Sequence, residues 1–146
     1  MSFPSLGADF EKGFAAAQTG DFATALREWT PLAEQGDASA QYNLALMYRN
    51  GWGVLQDYNA AVKWYTLAAE QGHGKAQANL AISYAKGDGV IRDDVYAHMW
   101  ANIASSNGNE GGGKVRELVA EDMTPSQIEE AQTLARKCVA KNYKNC

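Results

Sequence analysis

The apolar residues of this chain recur about one helical turn apart. One stretch places four of them on a single side of a helix: Ala40, Leu44, Ala45 and Tyr48. The stretch that follows has a second face of the same kind: Ala61, Trp64, Tyr65 and Ala68. Alanines let two helices approach closely, and the large aromatic side chains fill the gaps between neighbouring pairs. The pattern therefore predicts packed pairs of α-helices.

These helix pairs form an internal repeat. The segment LAEQGDASAQYNLALMYRNGWGV, from Leu32, aligns with AAEQGHGKAQANLAISYAKGDGV, from Ala68, at a constant offset of 36 residues. Glycines in the turns supply positive φ angles, and Asp57 and Asp93 are well placed as N-caps. An earlier unit has the same pattern with a shorter turn at Gly20. We therefore expect three helical hairpins, at about residues 7–35, 37–71 and 73–107.

The end of the chain reads as a cap on this stack. Gly108 to Gly113 predicts a glycine-rich join, followed by a short helix over 114–122. Thr124 then starts a last helix that runs to about Lys141. A terminal repeat needs such a cover for its apolar face. The predicted fold is all-α, an α/α superhelix or solenoid of three hairpins and a capping helix pair at 109–146, forming one domain over residues 1–146.

The repeat unit resembles the Sel-one-like repeats, which are related to tetratricopeptide repeats. The resemblance rests on matching positions in both full repeats, which in the first of them are Ala40, Gln41, Leu44, Tyr48, Gly51, Gly53, Val54, Asp57, Ala61, Trp64, Tyr65 and Gly72. It implies a solenoid whose first helices line a concave surface, used as an adaptor or scaffold for other proteins. Many bacterial members are exported, and some cysteine-rich members have been linked to β-lactam binding.

The concave surface would be the stripe of each first helix beside its core face. The residues expected to bind a partner there are Phe10, Phe14, Tyr42, Asn43, Leu46, Arg49, Lys75, Asn79, Ile82 and Lys86. Asn43 and Asn79 match an asparagine that related tetratricopeptide domains use to hold a peptide, although they could equally make hydrogen bonds within or between repeats. The cations favour an acidic segment or a chain terminus as the partner. Trp52 is a further candidate, either as an exposed contact residue or as a locally buried turn residue.

Charge and hydropathy remove two classes of partner. The net charge of −4 lacks the basic excess that attracts nucleic acid or an anionic membrane surface. No window approaches the roughly 18 to 20 consecutive apolar residues that span a bilayer. We therefore expect a protein or peptide partner, no nucleic acid and no membrane insertion. The oligomeric state and the identity of the partner do not follow from these residues.

The two cysteines bear on the compartment. Cys138 and Cys146 stand eight residues apart, a spacing that fits neither a zinc site nor a redox motif. They either remain as two thiols or form a disulfide worth about 2 to 3 kcal/mol in the chain-entropy model, which would indicate an oxidising compartment. The first seven residues carry no signal peptide, and a signal already removed would look the same. We therefore expect a periplasmic or secreted protein if a signal has been removed, and a cytoplasmic one otherwise.

Catalytic chemistry has little support in these residues. Ser83 and Lys86 match the Ser-x-x-Lys spacing of penicillin-recognising enzymes, but no companion motif accompanies them. His73 and His98 have no second ligand at metal-binding spacing, so we expect no metal and no cofactor. The sequence therefore predicts a protein-interaction module and no enzyme. The alternative is a weak binder or hydrolase of β-lactams or cell-wall peptides.

Overall fold

The structure is a computed structural model, which describes residues 7–146. That part of the chain contains eight α-helices: α1 (Phe10–Gln18), α2 (Phe22–Glu34), α3 (Ala38–Asn50), α4 (Tyr58–Ala69), α5 (Gly74–Lys86), α6 (Asp94–Ser106), α7 (Glu110–Ala120) and α8 (Pro125–Ala140). Consecutive helices from α1 to α7 pack against one another, and α8 returns to pack on α6. The predicted all-α solenoid is confirmed.

Polar side chains start nearly every helix. The carboxylates of Asp9, Asp21, Asp37, Asp57 and Asp93 each accept a hydrogen bond from a backbone N–H in the first turn that follows. Such caps satisfy donors that a helix cannot pair internally. The α3 and α5 helices end at Gly51 and Gly87, both in the left-handed conformation. The same start and stop signals therefore recur from repeat to repeat, as the 36-residue offset predicts.

Each hairpin packs small residues against large ones. In the middle of the stack, Tyr65 of α4 is fully buried among alanines of α3, α4 and α5. In the first hairpin, Trp29 of α2 lies over Gly13 of α1 so closely that a Cβ there would stand 2.6 Å from the indole Nε1. That nitrogen donates to the Phe10 carbonyl at 3.1 Å. The glycine thus makes room for the tryptophan that fills the first hairpin.

Two equivalent glutamines connect successive hairpins. Gln41 Nε2 donates to the Ala33 carbonyl at 3.1 Å, and Gln41 Oε1 accepts from Gln71 Nε2 at 2.9 Å. Gln77 repeats both bonds one unit later, with the Ala69 carbonyl at 3.0 Å and Asn107 Nδ2 at 2.9 Å. Both glutamines are buried, so their bonds to the Ala33 and Ala69 carbonyls act where water does not compete. Each glutamine therefore links the end of the preceding hairpin to the end of its own.

The long turn of each full repeat packs on the preceding hairpin. Gly53 has φ +73°, and a Cβ there would lie 2.7 Å from the Cβ of Phe22 at the start of α2. Gly89 has φ +78°, and a Cβ there would overlap the backbone carbonyl of Tyr58 at the start of α4. Glycine meets both demands, since it adopts positive φ and leaves room for close approach. The turn is therefore a second connection between repeats.

The capping pair differs from its predicted form in one respect. The glycines expected to form a join before the helix lie inside α7, which begins at Glu110 and is capped by the Asn109 side chain. Gly112 is buried against α6, where a Cβ would lie 2.7 Å from the Ala104 Cβ and 2.8 Å from the Ala101 carbonyl oxygen. These glycines allow close helix packing, and the predicted helix start at 114 was wrong for that reason. The predicted α8, with its capping box at Thr124, is confirmed.

The last residues fold back onto the stack. Cys138 and Cys146 form a disulfide with their Cα atoms 5.4 Å apart, which decides between the two alternatives for this pair. Within the loop that it closes, the Tyr143 ring lies against Gly72, and its hydroxyl makes a 3.3 Å hydrogen bond with Asn107 Oδ1. The disulfide loop therefore covers the joins that follow α4 and α6.

Candidate partner-binding face

The predicted partner-binding residues follow a stripe of the first helices α1, α3 and α5, which we call the first-helix face. Phe14, Leu46 and Ile82 occupy equivalent positions, each four residues before the last residue of its helix. Ala17, Arg49 and Ala85 are likewise equivalent, each one residue before the last. The hairpins therefore present different side chains at equivalent places on this face. The differences decide where the face is open.

The face is open between the first and second hairpins. A groove of about 240 Å³ lies there, lined by Phe14, Ala17, Gln18, Phe22, Trp29, Asn43, Leu46, Met47 and Trp52. Phe14 is 45% exposed and Trp52 is 43% exposed, which is high for side chains of this size. The Trp52 ring stacks on Phe22, with ring centroids 5.5 Å apart and planes 10° apart. This apolar groove brings together three of the predicted residues, Phe14, Asn43 and Leu46, with Trp52.

The two equivalent asparagines have different surroundings. Asn79 Oδ1 accepts from Arg49 Nη1 at 2.9 Å, and Asn79 Nδ2 donates to the Lys75 carbonyl at 2.9 Å. The alternative of hydrogen bonds within and between repeats thus describes Asn79. Asn43 makes no side-chain hydrogen bond within residues 7–146, because Ala17 occupies the place that Arg49 takes in the next repeat. Its amide lies free in the groove wall.

Aromatic rings extend the face beside α3. Tyr42 lies half-buried between Tyr65 and His73, with ring centroids 6.1 Å and 4.9 Å away. Burial raises the pKa of the Tyr65 hydroxyl to about 12, and the nearby Arg49 guanidinium opposes that rise. Burial also lowers the pKa of His73, whose Nδ1 accepts from the Ala76 N–H as the N-cap of α5. These three rings are therefore uncharged near neutral pH.

The remaining charges on α3 and α5 are all positive. The two helices contain Arg49, Lys75 and Lys86 and no aspartate or glutamate, although the whole chain has a net charge of −4. The two ion pairs within residues 7–146 involve other cations, Lys12 with Glu28 and Arg92 with Asp94. Lys75 and Lys86 are exposed. The first-helix face therefore offers cations without partner carboxylates in the described part of the chain.

Phe10 and Ile82, two other predicted residues, lie outside the groove lining. Phe10 is half-buried against Trp29, with ring centroids 5.8 Å apart, and Ile82 is half-buried on α5. Trp52 combines both alternatives considered for it, since it is stacked on one side and exposed on the other. Sequence reasoning missed Phe22 and Ala17. Their signal was the alignment of the shorter first repeat with the second, which pairs Phe22 with Tyr58 and Ala17 with Arg49.

The catalytic alternative has no supporting geometry. Ser83 is 7% exposed, and its hydroxyl donates to the Asn79 carbonyl of its own helix at 3.1 Å, an ordinary arrangement for a serine inside a helix. His98 is buried, and burial lowers its pKa. Among the described residues, no three His, Cys, Asp or Glu side chains are placed to hold a metal ion. None of the helices over residues 7–146 has the length and apolar character needed to cross a membrane.

Solved structures with the same architecture include two bacterial proteins. One is a protective antigen present in uropathogenic Escherichia coli strains that displays an SLR fold. It is 29% identical, with a TM-score of 0.84 over 90% of this chain and 30% of its own length. The other is a Sel1 repeat protein from Oxalobacter formigenes, which is 31% identical, with a TM-score of 0.63 over 75% of this chain and 97% of its own length. The chain thus spans under a third of the first of these proteins. No curated protein matches.

The family model of the Sel1 repeat matches residues 38–73 and 74–109. These spans contain the α3–α4 and α5–α6 hairpins and begin one residue after the boundaries predicted from the repeat offset. Proteins of this kind are generally protein-interaction scaffolds without enzymatic activity. The internal repeat, the helical solenoid and these matches lead to one assignment: the chain belongs to the Sel1 repeat family.

Proposed function

We propose that this protein is an interaction module that binds a peptide or a segment of another protein on its first-helix face. The observation that carries the proposal is the groove between α1 and α3, which leaves Phe14 and Trp52 about half exposed beside the free Asn43 amide. Exposed apolar side chains that form one continuous patch typically mark a binding surface. A free amide beside them can hold the backbone of a bound segment.

The charges on the same face favour an acidic segment or a chain terminus. Among residues 7–146, no carboxylate lies within salt-bridge distance of Arg49, Lys75 or Lys86. A guanidinium carries five N–H donors, and Arg49 uses one of its amino groups on Asn79. The Tyr65 hydroxyl also lies near the guanidinium, and the donors that neither Asn79 nor Tyr65 takes can bind a carboxylate. Charge complementarity of this kind selects partners and speeds their encounter.

Selection from a random peptide library displayed on phage tests the proposal. We expect the immobilised protein to enrich acidic sequences. The triple variant R49Q/K75Q/K86Q should weaken their binding by about tenfold, the combined effect of three exposed charge contacts. The matched control is K63Q/K114Q/K137Q, which removes the same charge from exposed lysines elsewhere and should retain binding. Equal binding by both variants, or no enrichment, would overturn the proposal.

We also propose that the protein works in an oxidising compartment. The Cys138–Cys146 disulfide supports this, since such bonds persist where thiols are not kept reduced. Alkylating the protein in its native cells before extraction, followed by mass spectrometry, tests it. Recovery of the disulfide-linked peptide is the expected result. Alkylated Cys138 and Cys146 would contradict the assignment.

A further inference from the structure

The groove between the first two hairpins has a size and chemistry that restrict its occupant. Its volume of about 240 Å³ is below the roughly 300 to 1,000 Å³ of a typical small-molecule site. Its walls are mainly apolar, with Phe14 on one side, Leu46 on the other and Trp52 at one end. A cavity of this kind suits one large apolar side chain better than a cofactor.

The groove exists because the first hairpin departs from the pattern of the later ones. Between α3 and α5, the Arg49 side chain reaches across to Asn79 and fills the equivalent space. Between α1 and α3 that place belongs to Ala17, whose methyl group reaches no further than the groove wall. The shorter first turn does not cover the opening, whereas the Trp52 turn forms its end. The opening is therefore specific to this pair of hairpins.

Arg49 is the one charged residue of α3. Arg49 lies one turn beyond Leu46 on α3 and faces no carboxylate within salt-bridge distance in the described residues. Trp52 stacks on Phe22, and the Asp21 carboxylate, next to Phe22 in the chain, already accepts from the Thr24 N–H at 3.2 Å and the Thr24 hydroxyl at 2.7 Å. Arg49 is therefore the group of α3 that attracts a carboxylate of the partner, whereas the Asp21 carboxylate is already held by Thr24.

We propose that this groove is a specificity pocket for an aromatic or long aliphatic side chain that belongs to an acidic peptide segment, with the segment's carboxylate directed to Arg49. The inference rests on the proposed function and makes it narrower. Stacking against Trp52 and Phe14 recognises the apolar side chain. Asn43 holds the adjacent backbone with its free amide.

Two fluorescein-labelled heptapeptides test the pocket separately from the charged face. They are Glu-Glu-Gly-Phe-Gly-Glu-Glu and the same peptide with Ala in place of Phe, and their binding is measured by fluorescence anisotropy. On the wild-type protein the Phe peptide should bind at least about tenfold tighter, the factor expected from removing one large side chain from water. Equal binding of the two peptides would overturn the pocket and leave the proposed function standing. Binding of neither peptide would overturn both.

The variant A17R fills the groove with the side chain that the next repeat uses at the equivalent place. It should lower the affinity for the Phe peptide to that for the Ala peptide. The control A23R adds the same charge on an exposed position of α2 and should keep the difference between the peptides. A17R that still distinguishes the peptides would contradict the assignment. So would a wild-type dimer that A17R dissociates in sedimentation analysis, because a second copy would then occupy the groove.

Discussion

Arg49 Nη1 donates a 2.9 Å hydrogen bond to Asn79 Oδ1 and so joins the first helices of the second and third hairpins. The equivalent Asn43 has Ala17 opposite it and keeps its amide free in an open groove. One residue type at one repeat position therefore has two roles. Asn79 contributes to the structure, and Asn43 is available for a partner.

This difference predicts unequal effects on stability for two matched substitutions. N79A removes two hydrogen bonds and should lower the free energy of unfolding by about 1 to 2 kcal/mol. N43A breaks no hydrogen bond in the described structure and should change stability by less than about 0.5 kcal/mol. Urea unfolding of the two variants measures the difference. Equal destabilisation would mean that Asn43 also has a structural partner.

The buried glutamines should contribute measurably to the free energy of unfolding. Gln77 is 0% exposed, and its removal breaks the hydrogen bonds to the Ala69 carbonyl and from the Asn107 amide. We expect Q77A to cost about 2 to 3 kcal/mol in the free energy of unfolding. Q132A, on the exposed side of α8, is the control and should be nearly neutral. A neutral Q77A would show that these bonds do not hold the repeats together.

Two glycines distinguish the cost of a positive φ angle from the cost of close packing. Gly89 and Gly108 both have positive φ, but a Cβ overlaps the Tyr58 backbone only at Gly89 and meets nothing within 4 Å at Gly108. G108A should therefore cost about 1 kcal/mol from backbone conformation alone. G89A should cost clearly more, since the turn must also move away from α4. Thermal unfolding of both variants checks this, and equal losses would contradict the packing described for the turn.

Stability should fall as pH is lowered because of the buried histidine. His98 is 3% exposed, and burial, together with the nearby Arg116, lowers its pKa below the ordinary 6.5. The folded state therefore keeps this ring neutral, whereas the unfolded chain binds a proton below about pH 6.5. Its contribution is present above that pH and is lost as pH falls towards the folded pKa, with a slope of at most about 1.4 kcal/mol per pH unit for one proton.

The variant H98Q isolates this contribution. Urea unfolding between about pH 7.5 and pH 5 should show a smaller loss of stability for H98Q than for the wild type. The pKa of His73 is also lowered, so this residue makes its own contribution to the pH dependence of stability. H73N serves as the comparison, because asparagine can retain the N-cap of α5. If H98Q keeps the whole pH dependence, the ring is not held neutral in the folded protein.

The sequence predicted the elements that recur in every repeat. It did not predict the features that arise where one repeat differs from the others. Helix pairs, the caps at Asp57 and Asp93 and the α8 capping box all follow from local patterns, and they were predicted correctly. The groove does not, because it depends on Ala17 facing Asn43 across two hairpins with different turn lengths. The start of α7 was also missed, since three glycines read locally as a loop until Gly112 is seen against Ala104.

The most direct test of the central claim is to map where an acidic peptide binds. Chemical-shift mapping on isotope-labelled protein, with the Phe heptapeptide as ligand, reports every backbone amide together with the Asn43 and Trp52 side chains. Binding on the first-helix face predicts the largest changes at Asn43, Leu46, Arg49 and the Trp52 indole N–H. Changes concentrated on the second helices α2, α4 and α6, or on α8, would contradict the account.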